Sequence, residues 1–321
     1  MADMMPWLLS GLGLIILLLA GDALVKGAVN LSLRLGVPAL IVSLTIVAFG
    51  TSAPELLIAI KAVLENAPGI AMGNVVGSNT ANVLLVLGVP AMLATMHTSE
   101  CETRRTYNFM LAATLLFIAL AFRGVFDWIA AIVLLAALFF VLGDAFRDAR
   151  AHRKAGKEAA LEEDTDVEGA DPDMSGILIA VFLGLGLIGL PLGATLLVDN
   201  ASIIAREYGV SDEVIGLTLV AVGTSLPELA TTVMAALRRQ ADVALGNVIG
   251  SNMFNLLAII GIASLVGPIP VDGAFLRFDL WVMLGASLIL IPFVYIRMDI
   301  SRIWGVALAL LYVIYVVIVL T

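Results

Sequence analysis

The sequence predicts an all-α polytopic membrane protein with ten transmembrane helices arranged as two inverted five-helix repeats. Hydrophobic residues make up 61% of the 321 positions and charged residues 13%, and the mean hydropathy is +1.08. Apolar runs such as Trp7 to Ala20 and Ile303 to Leu320 approach the length of about 20 residues that a helix needs to cross a bilayer. The composition excludes an ordinary soluble protein, and helices are expected because lipid satisfies no backbone hydrogen bond.

Prolines, glycines and charge clusters divide the chain into ten predicted spans. The first and sixth spans are long, which predicts strong tilt. An acidic linker over residues 147–173 separates the two halves, and we interpret its acidic run, EAALEEDTDVEGADPD, as a hydrated segment. The spans lie near residues 6–33, 38–64, 69–96, 106–122, 125–146, 174–207, 212–237, 242–267, 278–296 and 302–320.

The basic residues predict the orientation of the chain. If the N-terminus is outside, 12 of the 17 Lys and Arg residues fall on the inner side and 4 on the outer side, with Lys26 inside the first span. The positive-inside rule then places both termini outside and the linker in the cytoplasm. The start, MADMMPWLL, lacks the basic region of a cleaved signal peptide. We therefore expect a multi-pass protein of the plasma (inner) membrane that retains its first span.

A long segment of the first half recurs in the second. Residues 36–88 align without a gap on residues 209–261, at an offset of 173. The repeat divides the chain into two five-span domains, 1–146 and 174–321. Because five is odd, the two copies must cross the membrane in opposite directions. Inverted repeats are typical of secondary transporters, whose site lies between the halves near the midplane, although channels can have them too.

Each repeat contains a helix break followed by a glutamate, in AFGTSAPELL and AVGTSLPELA. Ser52 and Glu55 fit a capping box, as do Ser225 and Glu228, and a proline suits the first turn of the restarted helix. A cap contributes about 1 kcal/mol, whereas a carboxylate at the helix centre costs about 2.5 to 3.5 kcal/mol. Capping alone does not account for two such carboxylates, so we expect a bound cation to balance them.

Oxygen ligands surround both glutamates in the sequence. Each break offers the hydroxyls of Thr51 and Ser52, or of Thr224 and Ser225, together with freed carbonyls, and Ca²⁺ prefers six to eight such oxygens. The motifs GNVVGSNTAN and GNVIGSNMFN each add a polar stripe at helical spacing. These stripes are Asn74, Ser78 and Asn82 in the first repeat and Asn247, Ser251 and Asn255 in the second.

The residue types also exclude some chemistry. Cys101, His97 and His152 fall at span ends or in the linker, which argues against zinc or copper. No histidine lies at the centre of a span to activate a serine, so we do not expect an enzyme. Two fixed negative charges match one Ca²⁺ or two Na⁺, which makes alternate occupancy by the two ions natural.

Three smaller predictions concern packing and charge. Gly73 and Gly77, like Gly246 and Gly250, form small-x-x-x-small steps that let helices approach closely. Asp22 and Lys26 stand at i and i+4 and are expected to pair. Lys26 also aligns with Asp199 at the repeat offset, so opposite charges occupy equivalent positions of the two halves.

The motif pair GTSxPEL and GNVxGSN, present twice, resembles the α-repeats of the calcium/cation antiporter superfamily, and most closely those of prokaryotic sodium/calcium exchangers. The resemblance covers both repeats, and the span layout extends it to the whole chain. It implies a central ion cluster and alternating access by sliding of the first and sixth spans, whose Gly184-Leu185-Gly186 stretch suits loose packing. The implied ligands are Glu55, Glu228, Asn82, Asn255, Thr51, Thr224, Ser52, Ser225, Ser78, Ser251, Ala48 and Ala221.

The resemblance implies a Ca²⁺/Na⁺ antiporter without a cofactor, functional as a monomer, with membrane lipid around it and no nucleic acid partner. Some K⁺-dependent members carry Asp where this chain has Asn255, which implies K⁺ independence. A Ca²⁺/H⁺ antiporter stays open because a buried glutamate can carry a proton. A cation channel is the alternative from another class, although conduction requires easier ion release than strong ligands give.

Overall fold

The part of the chain that the structure describes is helical, with one short pair of strands. The computed structural model describes residues 4–154, 171, 173–209, 221–273 and 275–320. The centre of the acidic linker and the start of the predicted seventh span therefore lie outside the described residues. In chain order the helices are α1 Met5–Leu35, α2 Ala39–Thr51, α3 Ala53–Leu64, α4 Pro68–Leu93, α5 Arg104–Ala121, α6 Trp128–Lys154, α7 Gly176–Glu207, α8 Ala221–Thr224, α9 Leu226–Leu237, α10 Ala241–Val266, α11 Phe275–Tyr295 and α12 Arg302–Leu320.

Within the described ranges, 7 helices are long and apolar enough to cross a membrane, or 8 if the bent pair α2–α3 is one span. The eight agree with eight of the ten predicted spans. α5 is not among them, because its first turns carry the polar run RRTYN. The predicted span at residues 212–237 is described only from residue 221. The chain is thus a multi-pass membrane protein.

The boundaries of α6 differ from those of the predicted fifth span. Residues Val125–Phe126 form a strand that pairs antiparallel with Ile269–Pro270. Asp127 then caps α6, since its Oδ1 accepts the amides of Ile129 and Ala130 at 3.1 and 3.0 Å. The Ala130 amide, followed by the Arg123 guanidinium, holds the pKa of Asp127 below its ordinary value. The helix continues to Lys154, beyond the predicted end of the span at residue 146.

The two long helices α1 and α7 pack antiparallel through small residues. A Cβ on Gly13 would lie 2.6 Å from the backbone nitrogen of Leu197, and one on Gly193 would lie 2.9 Å from that of Leu17. Gly186 is equally close to Leu24, at 2.5 Å. The expectation of loose packing around Gly184-Leu185-Gly186 is therefore wrong at Gly186, where the absent side chain lets the two backbones touch.

α10 approaches α2 closely, as its small residues predict. A Cβ on Gly250 would lie 2.6 Å from the carbonyl oxygen of Leu44, and one on Gly246 would lie 2.9 Å from that of Leu40. The Ser43 hydroxyl also donates to the carbonyl of Val243 at 2.6 Å. This contact joins the two halves of the chain and fixes α2 against the most deeply buried helix.

The charges on α1 do not pair with each other. Arg238, at the end of α9, donates from Nε to Asp22 Oδ1 at 2.6 Å. Lys26 instead places its ammonium 4.8 Å from the centroid of the Phe182 ring on α7. The predicted Asp22–Lys26 pair is wrong because the Asp22 carboxylate is paired with the guanidinium of Arg238 from the other half of the chain.

Candidate cation site

The site is built around two helix breaks. In the first half α2 ends at Thr51 and α3 starts at Ala53, with a bend of 42° between them. In the second half α8 ends at Thr224 and α9 starts at Leu226. Ser52 and Ser225, at the breaks, have nearly the same backbone angles, with φ −83° and ψ 4° for Ser52 and φ −89° and ψ 4° for Ser225. The repeat in sequence is therefore a repeat in local structure.

Prolines explain why each helix opens at this point. Pro54 and Pro227 have no N–H, so the carbonyls of Gly50 and Gly223 lose their usual helical donor. The Ala48 carbonyl, in contrast, accepts the amide of Ser52 at 3.1 Å and the hydroxyl of Thr51 at 3.3 Å. The break thus deprives the Gly50 carbonyl of its usual donor, whereas the Ala48 carbonyl, an implied ligand, is hydrogen-bonded in this conformation.

Both glutamates are buried where the two breaks meet. Glu55 and Glu228 are each 1% exposed. The Ser52 hydroxyl, three residues before Glu55, donates to Glu228 Oε1 at 3.3 Å. The expected capping boxes are wrong, because neither Ser52 nor Ser225 caps its helix with its side chain. Ser52 instead turns its hydroxyl toward the carboxylate of the other half.

Two equivalent hydrogen bonds frame the glutamates. Thr51 donates to Asn247 Oδ1 and Thr224 donates to Asn74 Oδ1, both at 3.4 Å. The two pairs are related by the repeat offset of 173. The polar stripes on α4 and α10 therefore face the breaks, each supplying an asparagine to the opposite half.

A second pair of asparagines, which the sequence reasoning missed, lies behind the predicted ones. Asn82 Nδ2 donates to Asn252 Oδ1 at 3.1 Å, and Asn252 Nδ2 donates to the carbonyl of Asn79 at 3.5 Å. Asn79 and Asn252 are equivalent in the two repeats, and that recurrence was the signal available in the sequence. Asn82 and Asn255 lie in π-helical turns, Asn82–Val86 and Phe254–Ile259, a feature frequent at functional sites.

Thr232 is also a part of the site that the sequence analysis did not single out. Its hydroxyl donates to the carbonyl of Glu228 at 2.7 Å and accepts Asn247 Nδ2 at 3.2 Å. Asn247 Nδ2 also donates to the Glu228 carbonyl at 3.3 Å. The backbone of Glu228 is thereby held in place from two sides.

The remaining predicted residues lie around this centre. Ser78 on α4 and Ser251 on α10 are buried, at 4% and 0% exposure. Ala221 starts α8. In the second half the Ser225 amide donates to the carbonyl of Val222 at 3.0 Å.

Many buried oxygens of the site have no hydrogen-bond donor among the described residues. Leaving such a group unsatisfied costs about 1 to 3 kcal/mol, more for a charged one. A hard cation would satisfy several of them at once, and the all-oxygen donor set fits Ca²⁺ and Na⁺. The atoms are Glu55 Oε2, Glu228 Oε2, Asn82 Oδ1, Asn255 Oδ1, Asn79 Oδ1, Ser225 Oγ and Ser251 Oγ.

The donor set differs from that of a resident metal centre. No group of three or more His, Cys, Asp or Glu side chains comes together in the described part of the chain. Two carboxylates supplemented by neutral hydroxyl, amide and carbonyl oxygens can hold one divalent or two monovalent cations without excess fixed charge.

Known proteins resemble the chain over most of its length. The family described as sodium/calcium exchanger protein matches residues 5–143 and 178–321. The sodium/calcium exchanger MaX1 of Methanosarcina acetivorans is 35% identical, over 96% of each chain, and the inner membrane protein YrbG of Escherichia coli is 32% identical, over 86% of this chain and 85% of its own.

Solved structures extend the likeness to the fold. A structure of the sodium-calcium exchanger NCX_Mj, soaked without Na⁺ and Ca²⁺, superposes with a TM-score of 0.82 at 32% identity over 98% of each chain. Another, soaked with Na⁺ and Sr²⁺, gives 0.80 over 99% of each chain. The chain therefore belongs to the sodium/calcium exchanger family, of the prokaryotic type, within the calcium/cation antiporter superfamily.

Proposed function

We propose that this chain is a secondary antiporter that exchanges Ca²⁺ for Na⁺ at one site shared by its two halves. The observation that carries the proposal is the buried pair Glu55 and Glu228 among oxygens that lack donors. The proposal is supported by the relatives: MaX1 is named a sodium/calcium exchanger, and NCX_Mj structures were solved after soaking with Na⁺, Ca²⁺ or Sr²⁺.

Charge balance explains why Ca²⁺ and Na⁺ would compete for the same site. Two carboxylates are neutralised by one Ca²⁺ or by two Na⁺, so either ion set excludes the other. In this proposal Glu55 and Glu228 are the shared ligands, and neutral oxygens complete the coordination. The neutral ligands are Asn82, Asn255, Thr51, Thr224, Ser52, Ser225, Ser78, Ser251 and the carbonyls of Ala48 and Ala221.

The architecture we propose is two inverted five-helix repeats, residues 1–146 and 174–321, joined by a cytoplasmic linker with both termini outside. Alternating access then follows from sliding of α1 and α7 along the rest of the protein. The direct backbone contacts of Gly13 and Gly193 support movement of the two helices as one unit, because a rigid pair can shift without repacking internally. We expect the protein to work as a monomer in lipid.

Independence from K⁺ is the next part of the proposal. Asn255 is buried and neutral, and its amide has no partner among the described residues. An aspartate there would add a third negative charge and call for a further monovalent cation. With an amide, the two glutamates alone set the ion balance.

The test is uptake of ⁴⁵Ca²⁺ into proteoliposomes that contain the full chain. Vesicles loaded with Na⁺ should take up Ca²⁺ in Na⁺-free medium, and vesicles loaded with K⁺ or choline should not. Glu55→Gln and Glu228→Gln should each abolish the uptake. Uptake that survives both substitutions would refute the site.

The same assay separates the alternatives. Uptake driven by a pH gradient and indifferent to Na⁺ would indicate a Ca²⁺/H⁺ antiporter on the same site. Flux that continues with no counter-ion on the opposite face would indicate a channel. We expect neither, because the buried carboxylates would hold Ca²⁺ until another cation set replaces it.

A further inference from the structure

A cavity lies beside the candidate cation site, between α7 and the two helix breaks. Its volume is about 280 Å³. Its walls are one face of α7 from Pro191 to Asp199, the start of α3 at Pro54, and the second break at Gly223, Thr224 and Pro227. Pro54 and Pro227 directly precede the two glutamates, and Thr224 donates to Asn74 at 3.4 Å. The cavity therefore reaches Thr224, one of the proposed ligands, and the residues directly before both glutamates, although the glutamates themselves do not line it.

Asp199 is the charged residue in the wall of this cavity. Its side chain is exposed, and no hydrogen bond or ion pair joins it to another described residue. Asp127, in contrast, caps the start of α6 with its carboxylate. An unpaired carboxylate in a cleft concentrates the local field and draws in cations.

The equivalent position of the other half carries the opposite charge. Lys26 stands at the repeat offset of 173 from Asp199 and lies over Phe182 on α7. Phe182 and Asp199 are separated by about 25 Å along α7 at the usual helical rise. The two charged groups therefore lie near opposite ends of the antiparallel α1–α7 pair, a carboxylate on one side of the site and an ammonium on the other.

We propose that Asp199 is the cation-capture residue of an outer vestibule. The inference rests on the proposed function and orientation, in which the C-terminal end of α7 is outside. Asp199 acts on ions before they reach the glutamates and is not a ligand of the central site. It raises the local concentration of Ca²⁺ more than that of Na⁺, because the attraction scales with ionic charge.

Removal of the Asp199 charge should change KM by different factors for Ca²⁺ and Na⁺. One carboxylate about 8 Å from an ion in water changes the apparent affinity about fivefold for a divalent and about twofold for a monovalent cation. Asp199→Asn should therefore raise KM for external Ca²⁺ about fivefold and for external Na⁺ about twofold at low ionic strength, with maximal rates unchanged. Both effects should shrink when choline chloride shortens the screening length.

The experiment measures exchange in right-side-out and inside-out membrane vesicles of cells that express the full chain. Glu207→Gln is the matched control: Glu207 is exposed near the end of the same helix, about 12 Å beyond Asp199. Asp199→Glu, which keeps the charge, should behave as the unaltered protein.

The outcomes separate the inference from the function on which it rests. A rise in KM for Asp199→Asn that is confined to the outer face, larger for Ca²⁺ and sensitive to salt, supports the capture role. An effect no larger than that of Glu207→Gln, or one equal at both faces, overturns it. If the unaltered chain shows no Na⁺-dependent Ca²⁺ exchange, the proposed function falls and this inference with it.

Discussion

The two halves of the site carry the same residues but not the same contacts. The Thr51–Asn247 and Thr224–Asn74 bonds form in both. Ser52 donates to Glu228, whereas the equivalent serine, Ser225, has no partner among the described residues. Asn82 likewise donates to Asn252, whereas both polar atoms of Asn255 lack partners there.

The comparison separates scaffold from ion-binding groups. Contacts that are equal in both halves hold the breaks in place. Contacts that differ involve the carboxylates, serines and amides nearest the centre, and these are the groups an ion would engage. In the architecture proposed above, access from one side of the membrane requires such a difference, because one half is then closed and the other open.

The largest effect should come from substitution of the glutamates, because both carboxylates are expected to bind the same Ca²⁺. Ca²⁺ binds the folded state and should raise the Tm of the detergent-solubilised protein. Glu55→Gln and Glu228→Gln should each abolish this rise, because the remaining carboxylate cannot balance a divalent ion. The measurement is thermal unfolding with and without Ca²⁺. A rise that persists in only one of the variants would show that the halves do not share one site.

A new carboxylate should be tolerated unequally by the two central asparagines. Asn82→Asp removes the amide that donates to Asn252 Oδ1, and it places a carboxylate oxygen against that carbonyl oxygen, so that two acceptors meet. Asn255→Asp breaks no hydrogen bond among the described residues. Without added ions, Asn82→Asp should lower the stability by about 1 to 3 kcal/mol more than Asn255→Asp does. Equal losses in thermal or chemical unfolding would mean that the Asn82–Asn252 bond has no energetic weight.

Removal of the two serine hydroxyls should also differ. Ser52→Ala loses a hydrogen bond to a carboxylate, which at 3.3 Å is long and contributes about 1 kcal/mol. Ser225→Ala should change the ion-free stability little. Each variant is the control for the other when their free energies of unfolding are measured. A larger loss of stability for Ser225→Ala than for Ser52→Ala would contradict the difference between the two serines.

The smallest effect should be the most symmetric one. Thr51→Val and Thr224→Val each remove a bond of 3.4 Å to an asparagine. The Thr51 hydroxyl shares its single proton between that asparagine and the Ala48 carbonyl at 3.3 Å, so each substitution removes one donor. Each should cost about 0.5 to 1 kcal/mol, and the two losses should agree within about 0.5 kcal/mol. A clear inequality in unfolding would show that this pair of bonds belongs to the asymmetric centre and not to the scaffold.

The sequence predicted which residues form the site better than it predicted the hydrogen bonds and ion pairs between them. The repeat offset identified both breaks, both glutamates and both polar stripes, because these follow from patterns within a few residues. It did not predict that the Ser52 hydroxyl would donate a hydrogen bond to Glu228 instead of capping its own helix. Nor did it predict the ion pair between Arg238 and Asp22. Those contacts join residues more than a hundred positions apart, so rules based on i to i+4 spacing do not see them.

The central claim is that the two halves form one cation site, and the stoichiometry of binding tests it directly. Equilibrium dialysis of ⁴⁵Ca²⁺ against the purified chain should give one Ca²⁺ per molecule, displaced by Na⁺ with a Hill coefficient approaching two. Glu55→Gln and Glu228→Gln should each bind none. Two Ca²⁺ per chain, of which each variant loses only one, would contradict the account.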